Sequence, residues 1–236
     1  MLGRISQLLL NTPEHFTWQG HRGCRGLLPE NSLPAFIHAI DLGVDAVEMD
    51  VVISKDHEVV IAHEPFMPAD ICVLPNGDRI SKEDELHHNL YAMEYAEILK
   101  YNCGLKHPRF EEQRSLPVHR PLLSELFEVA EGYIQKEGSP LVQYTIELKC
   151  DSKYDNVYHP DPAKYVGLVI EVIRRSGLGQ RCVLQSFDFR ILREIREQSP
   201  DIRLSMLLQN DFELQSELDR LGFIPEILGP RFDKVS

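Results

Sequence analysis

The sequence predicts an α/β fold of the (β/α)8 type, the TIM-type barrel. Apolar runs of strand length alternate with segments whose apolar residues recur at helical spacing along most of the 236 residues. Charged or polar side chains stand at the ends of several of these runs, where barrels of this type place their active sites. An open doubly wound sheet is the alternative, but no G-x-G-x-x-G turn follows the first strand.

The first part of the chain contains three predicted strands and one helix. Residues 18–20 form a short first strand, and a helix with Pro34 in its first turn then runs to Gly43. Residues 47–53 and 59–62 are apolar and rich in β-branched side chains, which predicts the second and third strands.

A long irregular stretch, residues about 64–115, follows the third strand. Its proline, glycine and asparagine turn signals and its length are unlike a simple strand-to-helix connection. We interpret it as an insertion within a single domain that spans residues 1–236. Residues 1–17 are interpreted as a weakly patterned lead-in with a short helix that covers the bottom of the fold.

Regular alternation returns in the second half of the chain. Only seven strands are found in total, so the C-terminal strand of an eight-stranded barrel is missing or the barrel closes differently. The predicted order is helix 122–134, strand 141–148, helix 161–177, strand 182–184, helix 188–198, strand 203–208, helix 211–221 and strand 227–235.

Two acidic residues lie inside the second predicted strand. Side chains alternate between the two faces of a strand, so Glu48 and Asp50 share one face. Two carboxylates on one face of a buried strand repel each other and lose hydration unless a cation neutralises them. A solvated edge strand is the alternative, but the apolar flanks of Glu48 and Asp50 favour burial on both faces.

Five motifs, in order, resemble the glycerophosphodiester phosphodiesterase family. They are H-R-G followed by P-E-N at 21–31, E-x-D at 48–50, S-K-D ending in a histidine at 54–63, E-L-K at 147–149, and Q-S-F-D at 185–188. Each motif alone is a weak signal, whereas five in the family's order over most of the chain are specific. The family's last strand carries a tryptophan motif, and Trp18 is the only tryptophan here.

The resemblance implies a metal-dependent hydrolase that splits glycerophosphodiesters into sn-glycerol 3-phosphate and an alcohol. It implies that Glu48, Asp50 and Glu147 bind the metal, and that His21 and His63 are the general acid and base. Which histidine takes which role stays open. An all-oxygen ligand set suits a hard divalent cation, Mg²⁺ or Ca²⁺.

Four further residues are predicted to bind the substrate. Arg22 offers a bidentate fork to a phosphate and Lys149 a point charge. Glu30 lies near the metal by resemblance, while Gln185 either makes a hydrogen bond in the pocket or packs in the barrel.

Three neighbouring residues are left outside this set. Asn31 or Ser32 is expected to cap the first helix. Glu64 stands where the family has aspartate, so its carboxylate is carried on a side chain that is one methylene longer.

The composition limits partners and location. A formal net charge of −12 argues against nucleic acid or an anionic membrane as a partner. The resemblance implies a small-molecule phosphodiester as the substrate. No apolar run reaches the roughly 20 residues of a membrane span, so no stable membrane anchor is expected. The five cysteines form no C-x-x-C pair and are read as free thiols of a cytoplasmic protein, or of a periplasmic one whose export signal is absent. The oligomeric state stays open.

Two other functions remain open. A lysophospholipase D-type phosphodiesterase would share the site, although the mixed, charged stretch 64–115 favours soluble diesters. A non-catalytic metal- or phosphate-binding remnant is the alternative from another class.

Overall fold

The computed structural model of the protein describes residues 16–209 and 211–234. Most of the predicted lead-in, residues 1–15, therefore lies outside the described residues, as does position 235 of the last predicted strand. The strands are β1 (Gln19–Gly20), β2 (Ala46–Ile53), β3 (Val59–Ile61), β4 (Gln143–Leu148), β5 (Cys182–Ser186), β6 (Arg203–Leu208) and β7 (Ile227–Pro230). The α-helices are α1 (Leu33–Asp41), α2 (Tyr95–Ile98), α3 (Leu123–Glu137), α4 (Pro162–Ser176), α5 (Phe189–Gln198) and α6 (Leu214–Leu221). Short 3₁₀ helices lie at Glu85–His87, Leu90–Ala92, Ser152–Tyr154, Gly179–Arg181 and Phe232–Lys234.

The strands form one curled sheet, and the α/β alternation follows the prediction. Parallel pairing runs in the order β1-β2-β4-β5-β6-β7. Strand β3 lies off this path and pairs antiparallel with β2. The connection 54–58 is too short for the crossover that parallel neighbours need, and His57 at φ +67° helps to close a hairpin. The third strand is thus the return arm of a hairpin.

The apolar face of the sheet packs against the helices in one continuous core. Strand β2 is buried along its whole length, as its sequence predicts for a central parallel strand. Val47, Met49 and Val51 join the core with Phe36 of α1 and Leu126 of α3. Glu48 and Asp50 alternate with these residues and therefore face the other side of the sheet.

Side-chain caps fix the starts of the two helices that follow β4 and β5. The Asp161 carboxylate accepts a hydrogen bond from the backbone N–H of Lys164, and that of Asp188 accepts one from Arg190. Both caps agree with the prediction. Ser32 is the N-cap residue of α1 but its side chain makes no capping bond to the helix.

Residues 64–115 contain a second, smaller apolar core that includes Met67, Ile71, Leu90 and Ile98. Within it Cys72 and Cys103 form a disulfide, so the expectation that all cysteines are free was wrong for this pair. Folding of this irregular stretch brings residues 73 and 102 into hydrogen-bonded contact, which cysteine spacing could not reveal. Disulfides persist in oxidising compartments, so the cysteines no longer support a cytoplasmic location.

Across the described ranges, no helix combines the length and the apolar character that crossing a bilayer would require.

Candidate active site

Three buried carboxylates meet on the polar face of the sheet. Glu48 and Asp50 of β2 lie beside Glu147 of β4, and Asp50 and Glu147 are direct partners in the parallel register. One carboxylate oxygen from each residue lies within 4.8 Å of the others. Burial, together with the charges of Asp50 and Glu147, raises the pKa of Glu48 to about 8.

This donor set fits a hard divalent cation. It offers only oxygen ligands, and burial together with the neighbouring carboxylates disfavours the charged form of Glu48, a penalty that a bound cation would offset. The structure brings together the three acids that the sequence analysis proposes as metal ligands.

A second cluster of metal-ligand side chains does not fit a cation. Cys150, Asp155 and His159 lie close together in the loop after β4. The Arg190 guanidinium already donates two hydrogen bonds to Asp155, at 2.6 and 3.0 Å. The imidazole of His159 lies 2.9 Å from the Pro160 carbonyl through Nδ1 and 3.2 Å from the Asp151 N–H through Nε2, so both ring nitrogens have backbone partners.

The carboxylate of Asp50 accepts one hydrogen bond and pairs with two cations. Asn31 Nδ2 donates to Oδ2 at 2.9 Å, and Arg22 Nε lies 3.2 Å from the same oxygen. Lys149 Nζ lies 3.6 Å from Oδ1. Burial favours the neutral carboxyl, but the charges of His63, Arg22 and Lys149 hold the pKa of Asp50 below its usual range.

Arg22 connects the turn after β1 to the carboxylates. Its backbone N–H donates to Glu48 Oε2 at 2.9 Å, with φ at +52°, a conformation uncommon outside glycine. Its guanidinium lies between Glu30, at 2.7 Å, and Asp50. Glu30 also pairs with Arg25 at 2.5 Å. Burial raises the pKa of Glu30, but Arg22, Arg25 and Arg120 outweigh it and hold the pKa below its usual value.

The two predicted catalytic histidines differ in their surroundings. His21 Nε2 lies 3.9 Å from Glu48 Oε2, and its side chain is 60% exposed. Partial burial and the charges of Arg22 and Arg25 lower the pKa of His21, so its ring is neutral at pH 7. His63 Nδ1 lies 2.7 Å from Glu64 Oε1, a contact that fixes the ring and leaves Nε2 free to meet another group.

The other two predicted substrate-binding residues also contact the carboxylates. Lys149 Nζ donates to Glu147 Oε1 at 2.8 Å. Gln185 Nε2 donates to Glu48 Oε1 at 3.3 Å, which places its amide in the site.

Four residues of this site were not predicted. Asn31 was assigned to helix capping and Glu64 was set aside. Arg25 pairs with Glu30, and Arg120 is fully buried close enough to Glu30 to affect its ionisation. Arg120 lies in a connecting stretch without a motif, so no local signal marks it.

Residues 21–221 match the family model described as the glycerophosphoryl diester phosphodiesterase family. The chain belongs to this family. A glycerophosphodiester phosphodiesterase of Caldanaerobacter subterraneus subsp. tengcongensis is 27% identical over 190 residues, which cover 80% of this chain. The match spans 65% of the length of that bacterial enzyme.

Solved structures of the family share the fold. A provisionally named glycerophosphoryl diester phosphodiesterase from Silicibacter pomeroyi superposes with a TM-score of 0.80 at 30% identity, covering 94% of this chain and 78% of that one. A phosphodiesterase from Oleispira antarctica, solved with the product sn-glycerol-3-phosphate, gives 0.63 at 21% identity, covering 92% and 74%. The sheet described above therefore has the TIM-type architecture that the sequence predicts.

Proposed function

We propose that the protein hydrolyses glycerophosphodiesters to sn-glycerol 3-phosphate and an alcohol with the help of a divalent cation, Mg²⁺ or Ca²⁺. The observation that carries this proposal is the buried Glu48, Asp50 and Glu147 cluster in a chain of the phosphodiesterase family. The Caldanaerobacter relative bears the name of this activity.

The chain's own residues can supply the acid–base and charge requirements of the reaction. A cation held by the three acids would polarise a phosphoryl oxygen and lower the pKa of a bound hydroxyl or water. In this structure Arg22 pairs with Asp50 and Lys149 pairs with Glu147. If a metal ion bound these two carboxylates, the Arg22 and Lys149 side chains would be available to the phosphate.

Proton transfer falls to the histidines in this proposal. One of His21 and His63 takes the proton of the attacking group, and the other protonates the leaving alkoxide. Glu64 would keep His63 oriented through its Nδ1 contact. The charged walls beside His63 favour soluble diesters over an acyl-bearing lysophospholipid.

Hydrolysis of sn-glycero-3-phosphoethanolamine, with and without EDTA, tests the proposal. We expect EDTA to abolish turnover and Mg²⁺ or Ca²⁺ to restore it. His21→Ala and His63→Ala should each lower kcat by roughly 10²-fold, the usual scale of acid–base catalysis. His87→Ala is the matched control, because the His87 side chain is 78% exposed and pairs with the exposed Asp84.

Full turnover in a chelated sample would contradict the metal requirement. Near-normal turnover of either site variant would remove that histidine from the mechanism. Saturable diester binding without any turnover by the intact chain would support a non-catalytic binding module instead.

A further inference from the structure

A cavity of about 400 Å³ opens beside the carboxylate cluster. Arg22, Glu30 and His63 line it on the side of the site, and residues of the 64–115 segment, among them Lys82 and Arg109, line the other side. His63 lines this cavity, so under the proposed function part of a diester bound beside His63 extends into it. Of the two groups on the phosphorus, glycerol carries no charge, whereas the alcohol differs between diesters and can carry one. Its volume lies in the range of small-molecule sites, about 300–1,000 Å³.

The acidic side chains of the cavity wall already have cationic or imidazole partners. Glu64 contacts His63 at 2.7 Å. Asp70 and Glu85 both pair with Lys82, at 3.2 and 3.1 Å, and Glu85 also accepts the N–H of Ala69.

The arginines at the Glu30 end outnumber their acidic partners. Arg22 and Arg25 share Glu30, and the buried Arg120 is near enough to act on the ionisation of Glu30. Arg22 also pairs with Asp50, its Nε lying 3.2 Å from Oδ2, whereas the buried Nε atoms of Arg25 and Arg120 have no hydrogen-bond partner among the described residues. Arg109 lines the same cavity, and no acidic partner pairs with it within residues 16–209 and 211–234. Arg25 shares the Glu30 carboxylate with Arg22, and the exposed side chain of Arg109 is open to a ligand, so this end of the cavity suits an anion.

We infer that the cavity holds the alcohol half of the diester and selects an alcohol that carries an anionic group of its own, a carboxylate or a second phosphate. This inference rests on the proposed hydrolysis. Arg109 and Arg25 bind the anion, since a guanidinium offers a planar fork to either group. The Arg25 guanidinium stacks 4.9 Å from the centre of the Phe110 ring, which limits its motion and orients it for binding.

Matched pairs of diesters test this selectivity. Glycerophosphoserine and glycerophosphoethanolamine differ only in a carboxylate, and glycerophosphoglycerol with and without a terminal phosphate differs only in that phosphate. We expect the wild-type kcat/KM to be roughly tenfold higher for the anionic member, a factor that corresponds to about 1.4 kcal/mol. A preference for the anionic member in the first pair alone identifies a carboxylate site. A preference for it in the second pair alone identifies a phosphate site. Equal values in both pairs would overturn the inference.

Arg109→Gln should bring the ratio of kcat/KM within the preferred pair close to one. Arg114→Gln is the matched control, because Arg114 is an exposed arginine of the same segment that does not line the cavity. Its ratio should stay at the wild-type value. If Arg109→Gln lowers kcat/KM by the same factor for both members of a pair, Arg109 does not recognise the anionic group, and the assignment is overturned.

Titration calorimetry with the same diesters supplies a readout that needs no turnover. The anionic member should bind roughly tenfold more tightly to wild type. Equal affinities overturn the inference even if no diester is hydrolysed, whereas absent hydrolysis with selective binding contradicts only the proposed function.

Discussion

The side chain of Asn31 contacts the site, although its position in the sequence indicates only a helix cap. An asparagine before a helix predicts a cap, yet Ser32 is the N-cap residue and Asn31 adopts φ +53°, turning its amide towards Asp50. Asn31 Nδ2 donates to Asp50 Oδ2, and Arg22 Nε lies 3.2 Å from the same oxygen, so Asn31 and Arg22 both act on the orientation of this carboxylate. Hydrogen bonds of this kind orient carboxylate ligands.

Asn31→Gly is predicted to weaken cation binding. Glycine adopts a positive φ without strain, so the substitution removes the amide and keeps the backbone path. We expect the Kd for Mg²⁺ or Ca²⁺ to rise by roughly 10-fold or more, with kcat falling more than KM changes. Titration calorimetry with the cation, paired with kinetics, measures both effects. A cation affinity equal to that of wild type would leave Asn31 with a structural role at the start of α1.

At the scale of elements, residue patterns within a strand or helix predicted the structure better than the sequences of the connecting segments did. The period of two along β2 placed Glu48 and Asp50 on one face, and cap chemistry located the starts of α4 and α5. The direction of β3 is not encoded in its own three apolar residues, but in the short connection 54–58 before it. The length of a connection therefore carries information that the composition of a strand does not.

The loops after β4 and β5 are joined by Arg190, and this contact is predicted to make stability depend on pH. Its guanidinium donates to Asp155 Oδ2 and to Asp188 Oδ2, each at 2.6 Å. Hydrogen bonds from Arg190 lower the pKa of Asp155. Burial raises the pKa of Asp188, but Arg190 outweighs it and lowers the value. The unfolded chain therefore binds more protons in acid, and the stabilisation is present above about pH 4 and lost as pH falls further.

Arg190→Gln should lower the free energy of unfolding at pH 7 by about 1–2 kcal/mol. Its difference from wild type should shrink as the pH falls below about 4. Urea unfolding at a series of pH values measures this difference. Arg175→Gln is the control, because Arg175 forms only an exposed pair with Glu171 within α4, worth about 0.5 kcal/mol or less. A difference that stays constant with pH would assign the effect of Arg190 to packing.

For the whole molecule, motif order predicted the members of the site but not how they pair. Residues of strands β2, β4 and β5 meet because parallel strands present equivalent positions at one edge of the sheet. The pairing of Arg22 with Glu30 depends on the path of the turn between β1 and α1, and the Cys72–Cys103 disulfide depends on how the irregular segment folds back. Neither contact carries a periodic signal in the sequence.

A divalent cation is predicted to stabilise the entire fold. Glu48 and Asp50 on β2 and Glu147 on β4 belong to adjacent strands in the middle of the sheet, so a cation bound to all three links β2 to β4. The unfolded chain does not hold these carboxylates together, so the cation favours the folded state. At a free concentration of about 100 times Kd, the free energy of unfolding should rise by about 2.7 kcal/mol over a sample in EDTA.

The increase in the free energy of unfolding that the cation provides should also grow with pH. The pKa of Glu48 is about 8 in the cation-free fold, whereas an unperturbed glutamate titrates near 4.3. Between these values the folded state keeps a proton that the unfolded state has released, so stability in EDTA falls as the pH rises. Urea unfolding at pH 6 and pH 8, with EDTA or with Mg²⁺ at matched ionic strength, should show the larger increase in the free energy of unfolding at pH 8.

Glu48→Gln removes the titrating group and should flatten the pH dependence of stability in EDTA. Equal stability with and without saturating cation would show that the three carboxylates do not form a cation site in solution.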